Sequence, residues 1–189
     1  NTAVYTNAIE YITISTLGSP MDFGNLTIAS TGRSGSASRT RGLFTGVGNA
    51  PSGQSNVIEF VTIATTGDAT DFGDATIGQG YRGGCSNNIR SVTGGQNTSG
   101  NVMDYVTIAA TGNAVDFGDL GFSTSTPISF ASSTRGIFAG GNSSPTINFI
   151  TIATTGDAQD FGNLSAGTVA SNGAVSNATR GCMKFRTGS

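Results

Sequence analysis

Val57-Ile58-Glu59-Phe60-Val61-Thr62-Ile63-Ala64-Thr65-Thr66-Gly67-Asp68-Ala69-Thr70-Asp71-Phe72-Gly73-Asp74 is the stretch that decides the architecture. Its opening segment, Ile58 to Ile63, is rich in β-branched and aromatic residues. It has no helix cap and no 3.6-residue apolar stripe, so it predicts a strand. Apolar side chains fall on both faces of that strand, as packing between two neighbouring sheets requires. Thr66-Gly67-Asp68-Ala69 supplies a tight turn with glycine available for positive φ. A second strand follows through Asp71-Phe72-Gly73-Asp74.

Working outward, the same unit recurs. Asp-Phe-Gly stands at Asp22, Asp71, Asp116 and Asp160, at intervals of 49, 45 and 44 residues. Upstream of each lies Tyr11-Ile12-Thr13-Ile14, Phe60-Val61-Thr62-Ile63, Tyr105-Val106-Thr107-Ile108 or Phe149-Ile150-Thr151-Ile152. Downstream come Thr40-Arg41-Gly42, Ile89-Arg90-Ser91, Thr134-Arg135-Gly136 and Thr179-Arg180-Gly181. Three elements in register across four copies define a repeat protein, read as one domain over 1–189 with units of approximately 1–50, 51–100, 101–145 and 146–189.

Each unit holds two further strands. A Gly/Ser-rich loop leads to small residues such as Gly35-Ser36-Ala37-Ser38, and the turn carrying Arg41 leads into Leu43-Phe44-Thr45-Gly46. Four strands in about 45 residues is the size of a β-propeller blade. The small-residue strand favours that radial plan, because innermost strands crowd an axis where bulky side chains collide. A solenoid also repeats, but the unequal period and tolerant loops suit a propeller better. The chain starts just before the last two strands of a unit (Ile9 to Ile14, Asp22 to Leu26) and ends on the first two (Gly173 to Ser176, Cys182 to Phe185). The expected fold is therefore all-β, a propeller of four four-stranded blades whose ends share a closing blade, with a fragment of a larger propeller as the alternative. Beginning at Asn1 without an initiator Met, the chain is expected to be processed, excised or partial.

Composition narrows function. There is no His and no Trp, a single Lys (Lys184), charged residues are 11% of the chain, and the net charge is −2. With no basic run, no nucleic-acid partner is expected. No apolar run reaches the length of a membrane-spanning helix, so membrane insertion is not expected either. Without His, a Ser-His-Asp or Cys-His nucleophile arrangement is excluded. Paired carboxylates for glycoside hydrolysis remain as a chemical option, but the acids recur in every unit or, as Glu10, Glu59 and Asp104, share one strand register. Asp-Phe-Gly also occurs in kinases, yet no Gly-rich loop, strand Lys or catalytic loop accompanies it.

Asp22, Asp71, Asp116 and Asp160 recur together with Arg41, Arg90, Arg135 and Arg180, eight of the twenty formal charges. The expectation is structural: Asp–Arg pairs or Asp-to-backbone turn bonds pinning each blade. Loss of stability in Asp71→Ala would follow. Asp68, Asp71 and Asp74 lie close enough to raise calcium, but the spacing is not a helix–loop–helix ligand set, and no metal or other cofactor is expected. Cys85 and Cys182 occupy repeat positions held elsewhere by Ser36, Phe130 and Val175, and by Leu43, Val92 and Ile137. Both read as small buried hydrophobes rather than a disulfide. Tyr5, Arg33, Tyr81 and Arg82 fall in variable loops without counterparts in the other units, and an aromatic–guanidinium cluster suits stacking on a sugar. The last unit carries Lys184-Phe185-Arg186 where its siblings carry Gly-Gly, marking a seam or a docking face.

The Gly-Gly pairs after an aliphatic strand (Gly94-Gly95, Gly140-Gly141), followed by aromatic strands, resemble kelch-type blades. Phe23, Phe72, Phe117 and Phe161 stand where a kelch blade usually has Trp. Units such as Val57 to Asp74 look like repeats of virion and tail-fibre-like proteins of marine bacteriophages. That resemblance implies a non-enzymatic, virion-associated or extracellular protein acting in structure or host attachment. Other virion or fibre proteins, or a host-surface glycan, would be its partners. A secreted or cell-surface glycan-binding module is the alternative.

Overall fold

The computed structural model describes residues 4–96, 100–142 and 144–187, and the side chains of these apart from 167–172 and 185–187. Among the described residues every regular element is a strand. Their order is β1 (Ala8–Tyr11), β2 (Met21–Asn25), β3 (Ser34–Ala37), β4 (Arg41–Val47), β5 (Ser55–Thr62), β6 (Thr70–Asp74), β7 (Gly83–Ser86), β8 (Arg90–Gln96), β9 (Gly100–Thr107) and β10 (Val115–Thr124). They are followed by β11 (Ile128–Ala131), β12 (Arg135–Ala139), β13 (Ser144–Thr151), β14 (Gln159–Ser176) and β15 (Gly181–Thr187). The expected strands through Ile58–Ile63, Asp71–Asp74, Gly35–Ser38 and Leu43–Gly46 thus become β5, β6, β3 and β4, with ends shifted by a few residues.

Every pairing is antiparallel between chain neighbours. β1 and β2 form a first, two-stranded sheet; β3–β6 and β7–β10 form four-stranded meanders. β11–β15 form the fourth sheet, in which the long β14 begins against β13 and ends against β15. Each complete unit repeats one register. Leu43 faces Phe60, Val92 faces Tyr105 and Ile137 faces Phe149 across the second and third strands.

The core lies between sheets, as a strand apolar on both faces demands. On one face of β5, Ile58 packs with Leu43, Phe72, Val106 and Ile108 toward the third sheet. On the other, Val61 packs with Phe23 and Ala69, and Tyr11 closes that cluster from the first sheet. Cys85, Val92, Met103, Phe117, Phe138, Ile150 and Ile152 fill the space between the third and fourth sheets. An edge-to-face aromatic pair braces each unit: Tyr11–Phe23, Phe60–Phe72, Tyr105–Phe117 and Phe149–Phe161, with centroids about 6 Å apart.

The small-residue strands touch one another. β3 meets β7 and β7 meets β11. Ser86 Oγ donates to the Ala37 carbonyl at 2.8 Å, and Ser129 Oγ to the Gly84 carbonyl at 2.8 Å. Ser176 Oγ donates to the Ala131 carbonyl at 2.7 Å. A side chain on Gly84 would collide with Ser34, so bulk is excluded there. The closing blade expected from the two ends is not formed: β1 is hydrogen-bonded to β2, and β15 to β14.

Candidate functional site

Two structural devices absorb the recurring residues, and both join one sheet to the next. The first is a backbone clasp. After each third strand a Thr-Gly-Asp/Asn-Ala loop reaches the fourth strand of the preceding sheet. Gly67 N–H donates to the Phe23 carbonyl, Gly112 N–H to that of Phe72 and Gly156 N–H to that of Phe117, each at 2.7 Å. Ala69, Ala114 and Ala158 N–H add bonds to the carbonyls of Asn25, Asp74 and Asp119 at 2.7–2.8 Å. The side chains of Asp68, Asn113 and Asp157 accept the backbone N–H of Asn25, Asp74 and Asp119 at 2.8–3.0 Å. The glycine of Asp-Phe-Gly makes this approach possible. Gly24, Gly73 and Gly118 have φ of +144°, +142° and +131°, and a Cβ on any of them would collide with the incoming loop backbone.

The recurring arginines form the second device. Arg41, Arg90 and Arg135 lie over the rings of Phe60, Tyr105 and Phe149, at 4.5, 4.4 and 4.6 Å from the centroids. Arg41 donates to the Ile108 carbonyl of the next sheet at 2.9 Å, and Arg90 to the Ala153 carbonyl at 2.9 Å. The expected Asp–Arg pairs are therefore corrected. Among the described residues the ion pairs are Arg33–Glu59 and Arg82–Asp104, and Asp22, Asp71, Asp116 and Asp160 are exposed. The alternative, an Asp-to-turn bond, is made at Asp160, which accepts the Gly162 N–H at 3.3 Å. Guanidinium groups find a better partner in a ring and a carbonyl at the sheet edge than in a solvated carboxylate.

Arg33 and Arg82 are repeat positions, contrary to the expectation that they lack counterparts. They are 49 residues apart, the same interval that separates Asp22 from Asp71, and each precedes a small-residue strand. That shared offset is the signal in the sequence that marks them as a pair. Arg82 Nη1 meets both carboxylate oxygens of buried Asp104 at 3.0 and 2.9 Å. Its Nε donates to the Gly95 carbonyl and its Nη2 to those of Thr93 and Val102. Thr93 and Thr76 hydroxyls and the Thr76 N–H complete the carboxylate's shell. Burial pushes the Asp104 carboxyl up, but the Arg82 charge and these hydrogen bonds outweigh it and hold it below the usual carboxylate range.

One sheet earlier, Arg33 Nη2 lies 2.7 Å from Glu59, which also accepts the Thr27 N–H at 2.7 Å. Burial lowers the Arg33 pKa against the opposing pull of Glu59. In the fourth sheet the same positions hold Pro127 and Asn148, and Asn148 accepts the Gly121 N–H at 2.7 Å. A buried acceptor on the third strand thus pins the crossover from the preceding sheet in all three complete units.

Tyr81, at φ +58°, donates or accepts through its hydroxyl with Thr31 at 3.3 Å and accepts from Asn49 at 2.6 Å. Tyr5 is half-buried before β1. Of the four residues read as a sugar-binding cluster, Arg82 thus spends its polar atoms inside the fold, and the Tyr81 hydroxyl is engaged at the surface by Thr31 and Asn49. A cavity of about 250 Å³ opens between the first strands, lined by Arg33, Arg82, Pro127, Ser129 and Ala174 among others. Among the described residues no three His, Cys, Asp or Glu side chains converge as metal ligands. Asp68, weighed for calcium, is committed to Asn25.

Cys85 is buried, and its thiol is pushed up to about 12 by burial. Cys182 is exposed, against expectation, although its counterparts Leu43, Val92 and Ile137 are buried. Among the described residues no strand pairs with the outer edge of β15. Phe185 and Arg186 lie outside the described side chains.

No protein-family model and no curated protein matches the chain. Among solved structures 116 chains match, so the architecture is widely shared. One, described as the structure of YjhT, aligns with a TM-score of 0.65 at 10% identity, over 82% of this chain and 62% of its own. At that identity the likeness carries the β-rich fold alone. The chain spans about three fifths of that structure's length.

Proposed function

We propose that the chain is an arc of a β-propeller with kelch-like blades, acting without catalysis as a virion-associated structural or host-attachment protein. The observation that carries this reading is where the repeated chemistry goes. The Asp-Phe-Gly glycine, the Thr-Gly-Asp/Asn loops and the stacked arginines all serve sheet-to-sheet junctions. First strands that touch one another, with a cavity between them, support the radial plan. A protein that devotes its repeats to rigid side-by-side packing suits a load-bearing or adhesive role. The resemblance of its units to phage fibre repeats supplies the virion setting, with other virion or fibre proteins as partners.

Immunogold labelling of particles from the gene's source, combined with calorimetric titration against soluble sugars, tests this. Label on particle surfaces without saturable sugar heat is expected. Saturable binding of a soluble glycan with no particle label would replace the reading with a secreted lectin-like module.

A further inference from the structure

The Thr-Gly-Asp loops that clasp one sheet to the next also enclose a cavity, and the same cavity occurs twice. In the second sheet it measures about 320 Å³ and is lined by Phe60, Thr62, Thr65, Thr66, Asp68 and Thr70 among others. In the fourth it measures about 260 Å³, and its wall includes Phe149, Thr151, Thr154, Thr155, Asp157 and Gln159. Each residue of the fourth-sheet set stands 89 positions after its counterpart in the second. The cavity belongs to the hairpin rather than to an uncovered flank. In the fourth sheet it forms with the preceding sheet in place, Phe117 adding to its wall, and in the second with the following sheet in place.

Its chemistry is the same in both places. Phe60 and Phe149 are half-buried and supply an apolar floor, while the threonines, the two Asp and Gln159 are exposed around it. One carboxylate oxygen of Asp68 and of Asp157 holds the clasp, which leaves the other to solvent. Nothing lies within 4 Å of where a Cβ on Gly67 or Gly156 would stand, so the loop is open above these glycines. Backbone bonds from Thr65 N–H to Thr62 and from Thr154 N–H to Thr151, at 3.1 and 3.0 Å, fix the rim in advance.

The fold does not require this polar lining. The equivalent loop of the third sheet makes the same clasp, with Asn113 accepting the Asp74 N–H at 3.0 Å. Yet it carries Ala110, Asn113 and Val115 in place of Thr65, Asp68 and Thr70. Hydroxyls that donate and accept, a carboxylate that accepts and an aromatic ring together suit a neutral, polyhydroxylated ring. A carboxylate without a cation beside it disfavours acidic ligands. The volume lies near the lower end of the about 300–1,000 Å³ usual for ligand pockets, the size of one ring rather than a long segment.

We propose that the two hairpins are paired sites for single sugar residues of a neutral polysaccharide. The inference rests on the host-attachment reading above and names its ligand class. One open cavity holds a sugar weakly, in keeping with soluble sugars giving no saturable heat. A polymer that repeats the same residue engages both cavities, and the second engagement is intramolecular, so avidity retains it.

Co-sedimentation of the chain with three insoluble neutral polysaccharides, a glucan, a mannan and a galactan, tests the proposal. Retention by at least one is expected. Thr65→Ala with Asp68→Asn and Thr70→Val copies the third sheet's loop into the second. It should weaken retention about tenfold or more through lost bivalency while the melting temperature stays unchanged. Thr154→Ala with Asp157→Asn and Gln159→Val should do the same, and both sets together should abolish retention. The reverse change in the third sheet, Ala110→Thr with Asn113→Asp and Val115→Thr, should strengthen it. A wild-type chain retained by none of the three polymers, or retention that survives conversion of both loops, overturns the proposal. Particle labelling is read separately: label without retention removes this ligand and leaves the structural role, whereas retention without label removes the virion setting and leaves the sites.

Discussion

The third sheet and the two ends contain nearly the same residues in different surroundings. Phe117 of the third sheet sits beneath the Gly156 loop and is buried, whereas Phe161, one unit later, is more than half exposed. Ile108 is buried and Ile14 is exposed, although each closes the same aromatic-aliphatic-Thr-Ile run. Burial of a repeat position is therefore a property of the junction rather than of the repeat. A single unit cannot bury its own aromatic strand, because the covering loop comes from the next unit in the chain.

Matched substitutions in the middle and at the ends break or sharpen this comparison. Phe117→Ala should cost about 3–5 kcal/mol in denaturant unfolding, and Phe161→Ala under about 1 kcal/mol, since little burial is lost there. Equal costs would mean that the end is covered after all.

Asp104→Ala strands the Arg82 guanidinium in the interior and should cost about 3–5 kcal/mol, while Glu10→Ala, at the same register in the exposed first sheet, stays within about 0.5 kcal/mol. The Asp104 carboxyl is held below its ordinary value, near 3.9 in an unfolded chain. Its contribution is complete above that value and is lost as pH falls through its lower folded-state pKa. Acid titration should therefore narrow the gap between wild type and Asp104→Ala, and a constant gap down to the acid transition would contradict the assignment.

Gly118→Ala and Gly162→Ala impose the same strain, at φ of +131° and +135°, but only Gly118 faces an incoming loop. The difference between them isolates the collision, expected at about 1–3 kcal/mol. The smallest effect is at Asp71. It is exposed and outside the described ion pairs, so Asp71→Ala should change stability by less than about 0.5 kcal/mol, correcting the loss expected from its recurrence.

The strands are legible in the sequence because their patterns are local: β-branched and aromatic runs, turn glycines and three elements in register. The close approach of the small-residue strands is legible too, since Gly84 and Ser86 leave room that only close strands use. What the recurring charges do is not legible. Recurrence shows that Arg41 and Asp71 matter to every unit, but pairing depends on which sheet edge each faces, a distance relation that spacing does not encode. Arg33 and Arg82 read as singular because the fourth sheet replaces them with Pro127, which hides the repeat. Cys182 reads as buried from its counterparts, and it would be so only with a third strand beside β15. Arg33 and Arg82 look available because guanidinium groups in a loop give no sign in the sequence of the acids and carbonyls that engage them.

Amide hydrogen exchange at four equivalent glycines tests the junction account most directly. In dilute solution the N–H groups of Gly67, Gly112 and Gly156, each bonded at 2.7 Å to the sheet before it, should be protected, and that of Gly18 should exchange as in an open chain. Gly18 protected at high dilution, or Gly112 exchanging as fast as Gly18, would contradict the account.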